Sequence, residues 1–450
     1  LALLGLATVL RDAGINVHLF DIDAFHGDRA ALIHAVAAYD PSLLGFPVFY
    51  NTYDDVAVTL RDLRKSNVSC PVVLGGPEIT ANPENVHADF PDVSYLLAGE
   101  AEWTLRTLVQ RLRERQDIDD IPGLSFQKGA SWIINPIARF TDLDQVPFPD
   151  RGLLGEAYTQ GRYWRLGQRG ATDIMVSSRG CPYSCRFCFK VTHKASFRPS
   201  ASVHAELDHV RRFGTRNIMF QDDLFVSNIK RVKAVLDPVD PAWGMRFKVR
   251  ARVDTINDEI CAYLVSKGVT GVTVGFESGS DRLLELMGKK TTVSDNYRAM
   301  EIMRRHGLKV FADMFFMYPG EDMESVKETM DFIFRSKPAY VNWGMFIPLP
   351  GTSITLELQE KGLLKGRYGV GQRPRVVYDY LTDSQRTELI HYVSSNMRRY
   401  NGSLRHVMLP NLVDIVTTAG PRQYRILGDL YWKRYRPQWT GIFHGGSQRR

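Results

Sequence analysis

A chain of 450 residues with 44% hydrophobic and 24% charged residues has the makeup of a globular protein of two or three domains. Its five cysteines are too few for a disulfide framework, no stretch is apolar for long enough to span a bilayer, and nothing at the start reads as a signal peptide. The net charge of +7 is mild and gathers toward the C-terminus (Arg398, Arg399, Lys433, Arg434, Arg436, Arg449 and Arg450), which reads as a solvated basic face. No basic run is interleaved with aromatics, so no nucleic-acid partner is expected.

In chain order, LALLGLATVLRDAG sets Leu3, Leu6, Ala7 and Leu10 on one helical face and ends at Gly14, a plausible helix cap. Leu1 stands inside that helical pattern, which reads as a chain lacking its first residues. NVHLFDID predicts a strand, AALIHAVAAY a helix, LLGFPVF a buried strand and DDVAVTLRDLRK a helix. PVVLGG and VSYLLAG predict two more strands before the long helix EAEWTLRTLVQRLRER. Such alternation over residues 1–115 predicts a doubly wound α/β sheet, which binds ligands at the carboxyl ends of its strands. Asn51, Thr52, Gly75, Gly76, Pro77, Gly99 and Glu100 fall there.

Residues 116–170 read as a linker, with prolines at 122, 136, 147 and 149 marking a boundary. GLSF and SWIIN, separated by Lys128-Gly129, carry a hairpin signal. Residues 171–365 then repeat a strand–helix unit six times. TDIMVSS, NIMFQDD, RFKVRARVD, GVTVGFES, KVFADMFFMYP and VNWGMFIPLPG are the strands. Six parallel units predict a partial (β/α)6 barrel, whose functional residues collect at the C-terminal strand ends. Residues 366–450 predict helices (DSQRTELIHYVSSNMRRY, LPNLVDIVTTAG) and an aromatic tail with Tyr424, Tyr431, Trp432, Tyr435 and Trp439, which reads first as packing against the barrel and, as a lid over its mouth, as the segment that would set the substrate.

After the first barrel strand comes SSRGCPYSCRFCFK, holding Cys181, Cys185 and Cys188. Soft thiolates at this spacing suit an iron–sulfur cluster or zinc. A zinc site wants four closed ligands, and His193 falls in no standard ligand pair. Cys70 and Cys261 lie in apolar surroundings and read as core. Asp222 and Asp223 end the second strand, where they could cap the next helix. Arg250 and Arg252 alternate onto one face of the third, with Asp254. GFESGSD, with Glu277 and Ser278, ends the fourth, and Ser280-Asp281 there can cap a helix. MYPGE and PLPGT end the fifth and sixth.

The C-x3-C-x2-C run, with Phe187 before its last cysteine, resembles the signature of radical S-adenosylmethionine (SAM) enzymes. LGGPEITANPENV followed by YLLAGEAEWTLRTLV is similar to the cobalamin-binding domain that precedes the barrel in many of them. The resemblance implies a [4Fe–4S] cluster on the three cysteines, with the fourth iron open to SAM. It implies SAM contacts from Asp222 or Asp223 to the amino group, from Arg250 or Arg252 to the carboxylate, and from Glu277 and Ser278 to the ribose side. It implies cobalamin at Asn51, Thr52, Gly75, Gly76, Pro77, Gly99 and Glu100. The D-x-H-x-x-G loop that ligates cobalt in methionine synthase-type domains would lie before Leu1, and Asp21, Asp23 and His26 do not fit its spacing; radical SAM relatives commonly lack that histidine, so the resemblance implies no histidine ligand to cobalt.

The activity implied is a cobalamin-dependent radical methyltransferase acting on an unactivated carbon of a small-molecule or lipid substrate. An external electron donor such as flavodoxin or ferredoxin and a cytoplasmic location go with it. A cobalamin-binding oxidative cyclase or ring-rearranging enzyme has the same architecture. Methylthiotransferases need three further N-terminal cysteines, and only Cys70 precedes Cys181. A zinc-bearing nucleic-acid-binding protein is the reading from another class, and the mild charge, with no basic run interleaved with aromatics, disfavours it.

Overall fold

The computed structural model describes residues 1–25, 27–137, 143–155, 172–191 and 194–403. It opens with α1 (Ala2–Asp12), followed by α2 (Arg29–Tyr39), β1 (Leu44–Pro47), α3 (Tyr53–Lys65) and β2 (Val72–Gly75). Two short helices, α4 (Pro77–Ala81) and α5 (Pro83–Asp89), lead to β3 (Tyr95–Leu97) and α6 (Glu102–Glu114). Each short helix has proline at its first position, where the missing N–H costs nothing. β1, β2 and β3 pair in parallel, with Phe46 beside Leu74 and Leu74 beside Leu96.

Period-two alternation sends the sheet's residues to opposite faces. Leu74 and Leu96 pack with Val56, Ile79 and Val86, while Val73 and Leu97 pack with Leu10, Leu105 and Leu108. The sheet is thus covered on both sides. β4 (Leu124–Lys128) and β5 (Ser131–Ile134) form the expected hairpin, with Gly129 at φ +63, and add to the same sheet antiparallel to β3. Part of the expected linker is therefore sheet.

The strand expected at NVHLFDID is corrected. Residues 15–21 take no strand pairing, and a 3-10 turn follows at Ile22–Phe25. Strand status requires a ladder partner, and β1 pairs with β2 alone among the described residues. The apolar residues of the segment pack through side chains instead, with His18, Phe20 and Tyr39 in mutual ring contact.

The second sheet is wholly parallel and has six strands: β6 (Thr172–Met175), β9 (Asn217–Phe220), β10 (Arg246–Arg252), β11 (Val269–Glu277), β12 (Lys309–Phe316) and β13 (Tyr340–Met345), adjacent in that order. A small ribbon of β7 (Ser178–Arg179) and β8 (Ser196–Phe197) follows β6. The connecting helices are α7 (Ser200–Arg212), α8 (Ile229–Leu236), α9 (Asp258–Ser266), α10 (Asp281–Leu286), α11 (Val293–Arg305) and α12 (Met323–Ser336), with α13 (Ser353–Glu360) after β13.

Alternation again decides which side is which. Phe247, Val249, Val272, Val274, Val310 and Ala312 are buried in one core with Leu264, Met300 and Ile333 of the helices. The intervening residues turn to the concave side, and the register lays Arg252, Gly275, Asp313 and Asn342 side by side across four strands. Cys261 is buried in this core, and Cys70 packs half-buried beside Leu63 and Val68.

Beyond the barrel, β14 (Leu364–Lys365) and β15 (Arg375–Val376) bracket a strap that reaches back to the first domain. Arg367 pairs with Asp89 at 2.9 Å, Gly371 N–H donates to Asp54 at 2.7 Å, and Arg373 donates to the Tyr50 carbonyl at 3.0 Å. α14 (Asp383–Asn401) then lays Leu389, Val393 and Met397 on the barrel core. Its Asn401 amide bonds both backbone groups of Val341 (3.2 and 2.9 Å), blunting the open edge of β13. The expected second helix and aromatic tail of residues 366–450 lie outside the described residues beyond Ser403. No described helix is long and apolar enough to cross a membrane.

Candidate functional site

All six barrel strands run the same way, so their C-terminal ends share one rim. The loop carrying Cys181, Cys185 and Cys188 leaves the first of those ends and is held from several directions. Arg186 N–H donates to Met287 O at 2.9 Å, Ile354 N–H donates to Arg186 O at 3.3 Å, and the Arg186 guanidinium pairs with Glu357. Phe187 packs edge-on to Phe315 at 4.7 Å and joins Leu283, Tyr318 and Ile354 in a small apolar cluster. The aromatic of the motif is thus an anchor for the loop.

Ser177 and Ser178, just before the loop, are buried and tied to Asp222. Ser177 N–H and hydroxyl donate to its two carboxylate oxygens at 2.7 and 2.5 Å, and the Ser178 hydroxyl adds a third bond at 2.7 Å. Asp222 is 1% exposed. Its carboxylate is therefore occupied by the loop's own backbone and hydroxyls, which leaves Asp223, exposed on the cavity wall, as the open acid of the pair.

Arg252 is likewise engaged. It donates to Asp254 (2.9 and 3.3 Å), to Lys289 O at 2.7 Å and to Cys185 Sγ at 3.4 Å, and its guanidinium lies 3.7 Å over the Tyr183 ring. Arg250 is freer, with Gln221 at 3.5 Å and Asp313 at 3.4 Å. Burial raises the pKa of Asp313, whose other oxygen accepts from Asn342 at 2.7 Å. Glu277 has φ +67 and takes the buried Lys289 ammonium at 2.8 Å. Ser278 faces away from the rim: fully buried, its hydroxyl meets Thr329 at 3.0 Å, so it braces the turn into α10.

The cysteine loop meets the first domain directly. Arg179 pairs with Glu100 at 3.2 Å and with Glu102 at 2.5 Å. Burial raises the Glu100 pKa, Arg179 opposes that rise, and Glu100 Oε2 is buried without a hydrogen-bond partner. A cavity of about 1340 Å³ opens at this junction, walled on one side by Gly75, Gly76, Pro77, Gly99 and Glu100 and on the other by Ser178, Arg179, Gln221 and Asp223. Gly76 (φ +115) is obligatory, because a Cβ there would stand 2.7 Å from Val48 O. Thr52 accepts from Phe49 N–H at 3.0 Å and Asn51 is exposed. Neither lines the cavity.

Three free thiols on one loop have the chemistry of an iron–sulfur ligand set. Among the described residues no three His, Cys, Asp or Glu side chains converge as one metal ion requires, given Zn–S bonds of about 2.3 Å; His193 lies outside the described residues. Cys188 is accessible at its rim yet ringed by protein. Burial, then Cys185 and Glu277, push its thiol up to about 12, and a metal centre reverses that preference. At the junction, the glycine-walled cavity and the unpartnered Glu100 oxygen suit a large group bearing amide donors. Sequence reasoning missed Ser177, Ser178, Arg179, Glu102 and Lys289. Ser177, Ser178 and Arg179 stand beside the cysteines and Glu102 beside Glu100, and Lys289 carries no local signal.

Residues 175–333 match the family model of the Radical SAM superfamily, and residues 1–109 match that of the B12 binding domain. An uncharacterized methyltransferase of Pyrococcus horikoshii is 26% identical over 330 residues, covering 71% of this chain and 70% of that protein. An anaerobic magnesium-protoporphyrin IX monomethyl ester cyclase of Rubrivivax gelatinosus is 24% identical over 415 residues, covering 88% and 72%. Among solved structures, the radical S-adenosylmethionine methyltransferase TsrM from Kitasatospora setae, with cobalamin and [4Fe-4S] cluster bound, superposes with a TM-score of 0.70 at 20% identity, covering 89% of this chain and 86% of that one. At that identity the likeness speaks for the fold.

Proposed function

As a radical SAM enzyme whose chain also carries a B12-binding domain, this protein, we propose, methylates an unactivated carbon of a small-molecule or lipid substrate. The observation that carries the reading is the Arg179 ion pair with Glu100 and Glu102, which fixes the strand ends of the first domain against the cysteine loop. Two cofactor sites must share one reaction space for such chemistry, and holding the reacting groups together in the right orientation is a large part of what a protein contributes to it. The cluster supplies an electron for reductive cleavage of SAM, and cobalamin supplies a methyl carrier.

The chain's own residues bind, orient and exclude water. Cys181, Cys185 and Cys188 are the proposed cluster ligands. Asp223, Arg250 and Glu277 are the groups at the rim suited to the ammonium, carboxylate and ribose hydroxyls of SAM. Asp222, Arg252 and Ser278, first grouped with them, act by holding the loop and the strand turn. Gly75, Gly76, Pro77, Gly99 and Glu100 form the proposed cobalamin wall. A flavodoxin- or ferredoxin-like donor would supply the electron.

A second reading, oxidative cyclisation without net methylation, is favoured by the cyclase relative that covers 88% of the chain. Anaerobic incubation with SAM, a reductant and hydroxocobalamin separates the two. 5′-Deoxyadenosine together with S-adenosylhomocysteine is the result expected for methylation. 5′-Deoxyadenosine alone moves the assignment to cyclisation, and neither product refutes both.

A further inference from the structure

Two buried cations stand directly behind the cysteine loop, and neither is free to bind a ligand. Arg252 is 7% exposed and Lys289 is 4% exposed. The Arg252 guanidinium is fixed on four sides: Asp254 behind it, the Tyr183 ring 3.7 Å away, Lys289 O at 2.7 Å, and Cys185 Sγ at 3.4 Å in front. Its positive edge thus faces the sulfur and its counter-ion lies on the far side. Lys289 reaches Glu277 at 2.8 Å, and the adjoining Gly288 packs against Arg186 and the Ser184 carbonyl of the cysteine loop. A Cβ at Gly275 would crowd Glu277 and stand 3.1 Å from Lys289 Nζ, so a larger residue there would push the ends of both side chains aside.

We propose that Arg252 and Lys289 form a cationic brace that raises the reduction potential of the metal centre held by Cys181, Cys185 and Cys188. The inference rests on the reading of those cysteines as cluster ligands. Hydrogen bonds to ligand sulfurs and net local charge are principal determinants of iron–sulfur potentials. Reduction adds one negative charge to the centre, so a fixed cation at the sulfur favours the reduced state and a fixed anion opposes it. The brace therefore has an internal counterweight in Glu277, and the two kinds of substitution must act with opposite sign.

The test is an EPR-monitored redox titration of the anaerobically reconstituted full chain, without SAM, alongside iron analysis. Arg252→Gln and Lys289→Met are each expected to shift the one-electron equilibrium about tenfold toward the oxidised form, a midpoint lower by about 59 mV. Glu277→Gln is expected to raise the midpoint. Loss of structure cannot produce that reversal of sign.

Variants with about four irons per chain that titrate with the wild type overturn the brace. So does an Arg252→Gln variant that changes only the affinity for SAM, which would make Arg252 a SAM contact. Should the cationic variants take up no iron, Glu277→Gln decides: an unchanged or lowered midpoint overturns the proposal. A wild-type chain without iron refutes the assignment of the cysteines themselves, and the two failures are thereby distinct.

Discussion

Replacing Arg179 by Met tests the junction between the two domains. The guanidinium retains 31% of its side-chain exposure, Glu100 15% and Glu102 11%, so the substitution strands two largely buried carboxylates. Removing one partner of a buried ion pair costs about 3–5 kcal/mol, and the partial exposure of Arg179 lowers that to about 2–3 kcal/mol. Urea unfolding followed separately by far-UV circular dichroism and tryptophan fluorescence measures it, since two domains need not unfold together.

A cycle isolates the interaction. Glu102→Gln combined with Arg179→Met removes one stranded charge, so the double variant should be about 1 kcal/mol more stable than the sum of the single losses implies. Burial already raises the Glu100 pKa and Arg179 is what lowers it. Without Arg179 the folded pKa rises further, so the deficit should be largest near neutrality and shrink as pH falls toward the unfolded carboxylate range. A single-variant loss below about 0.5 kcal/mol, the scale of a surface pair, would refute the reasoning. Strictly additive losses would refute it equally.

Asp222→Asn keeps the shape but weakens three bonds to Ser177 and Ser178; reconstituted iron per chain should fall, with a stability loss of about 2–3 kcal/mol. Gly76→Ala places a Cβ at φ +115 against Val48 O, and should cost about 2–3 kcal/mol and weaken cobalamin binding measured by visible absorbance. Glu321 is 1% exposed, and burial lifts its pKa to about 8. The folded state therefore holds a proton that the unfolded state releases near pH 4.5, so stability falls with rising pH between those values, by up to about 1.4 kcal/mol per unit. Glu321→Gln should remove that slope when urea midpoints are compared at pH 6 and pH 8.

The architecture was readable because periodicity reports burial. Six barrel strands alternate between a helix-covered face and a concave one, and Val249/Arg250 or Ala312/Asp313 announce both faces in adjacent letters. The cysteine spacing was equally legible, being local. Less was readable where the outcome depends on a distant partner. NVHLFDID has strand composition but no ladder neighbour among the described residues. Asp222 and Ser278 sit at strand ends, as functional residues do, yet their partners are Ser177 and Thr329, which no local pattern discloses. Lys289 shows the converse, an unremarkable lysine in sequence that folding buries beside the cysteine loop.

The strap from Gly366 to Pro374 and the Arg179 pair attach the two domains at separate places. A third attachment runs through Asp150 and Arg151, which meet Arg11 and Thr8 of α1 on one side and Asp173 and Glu206 of the barrel on the other. Attachment at three places leaves little rigid-body freedom, so parting the domains for a bulky guest means loosening at least one of them. Severing the strap takes Arg367 from Asp89 as well as Gly371 and Arg373 from Asp54 and Tyr50, and guest exchange is the property that reports on it.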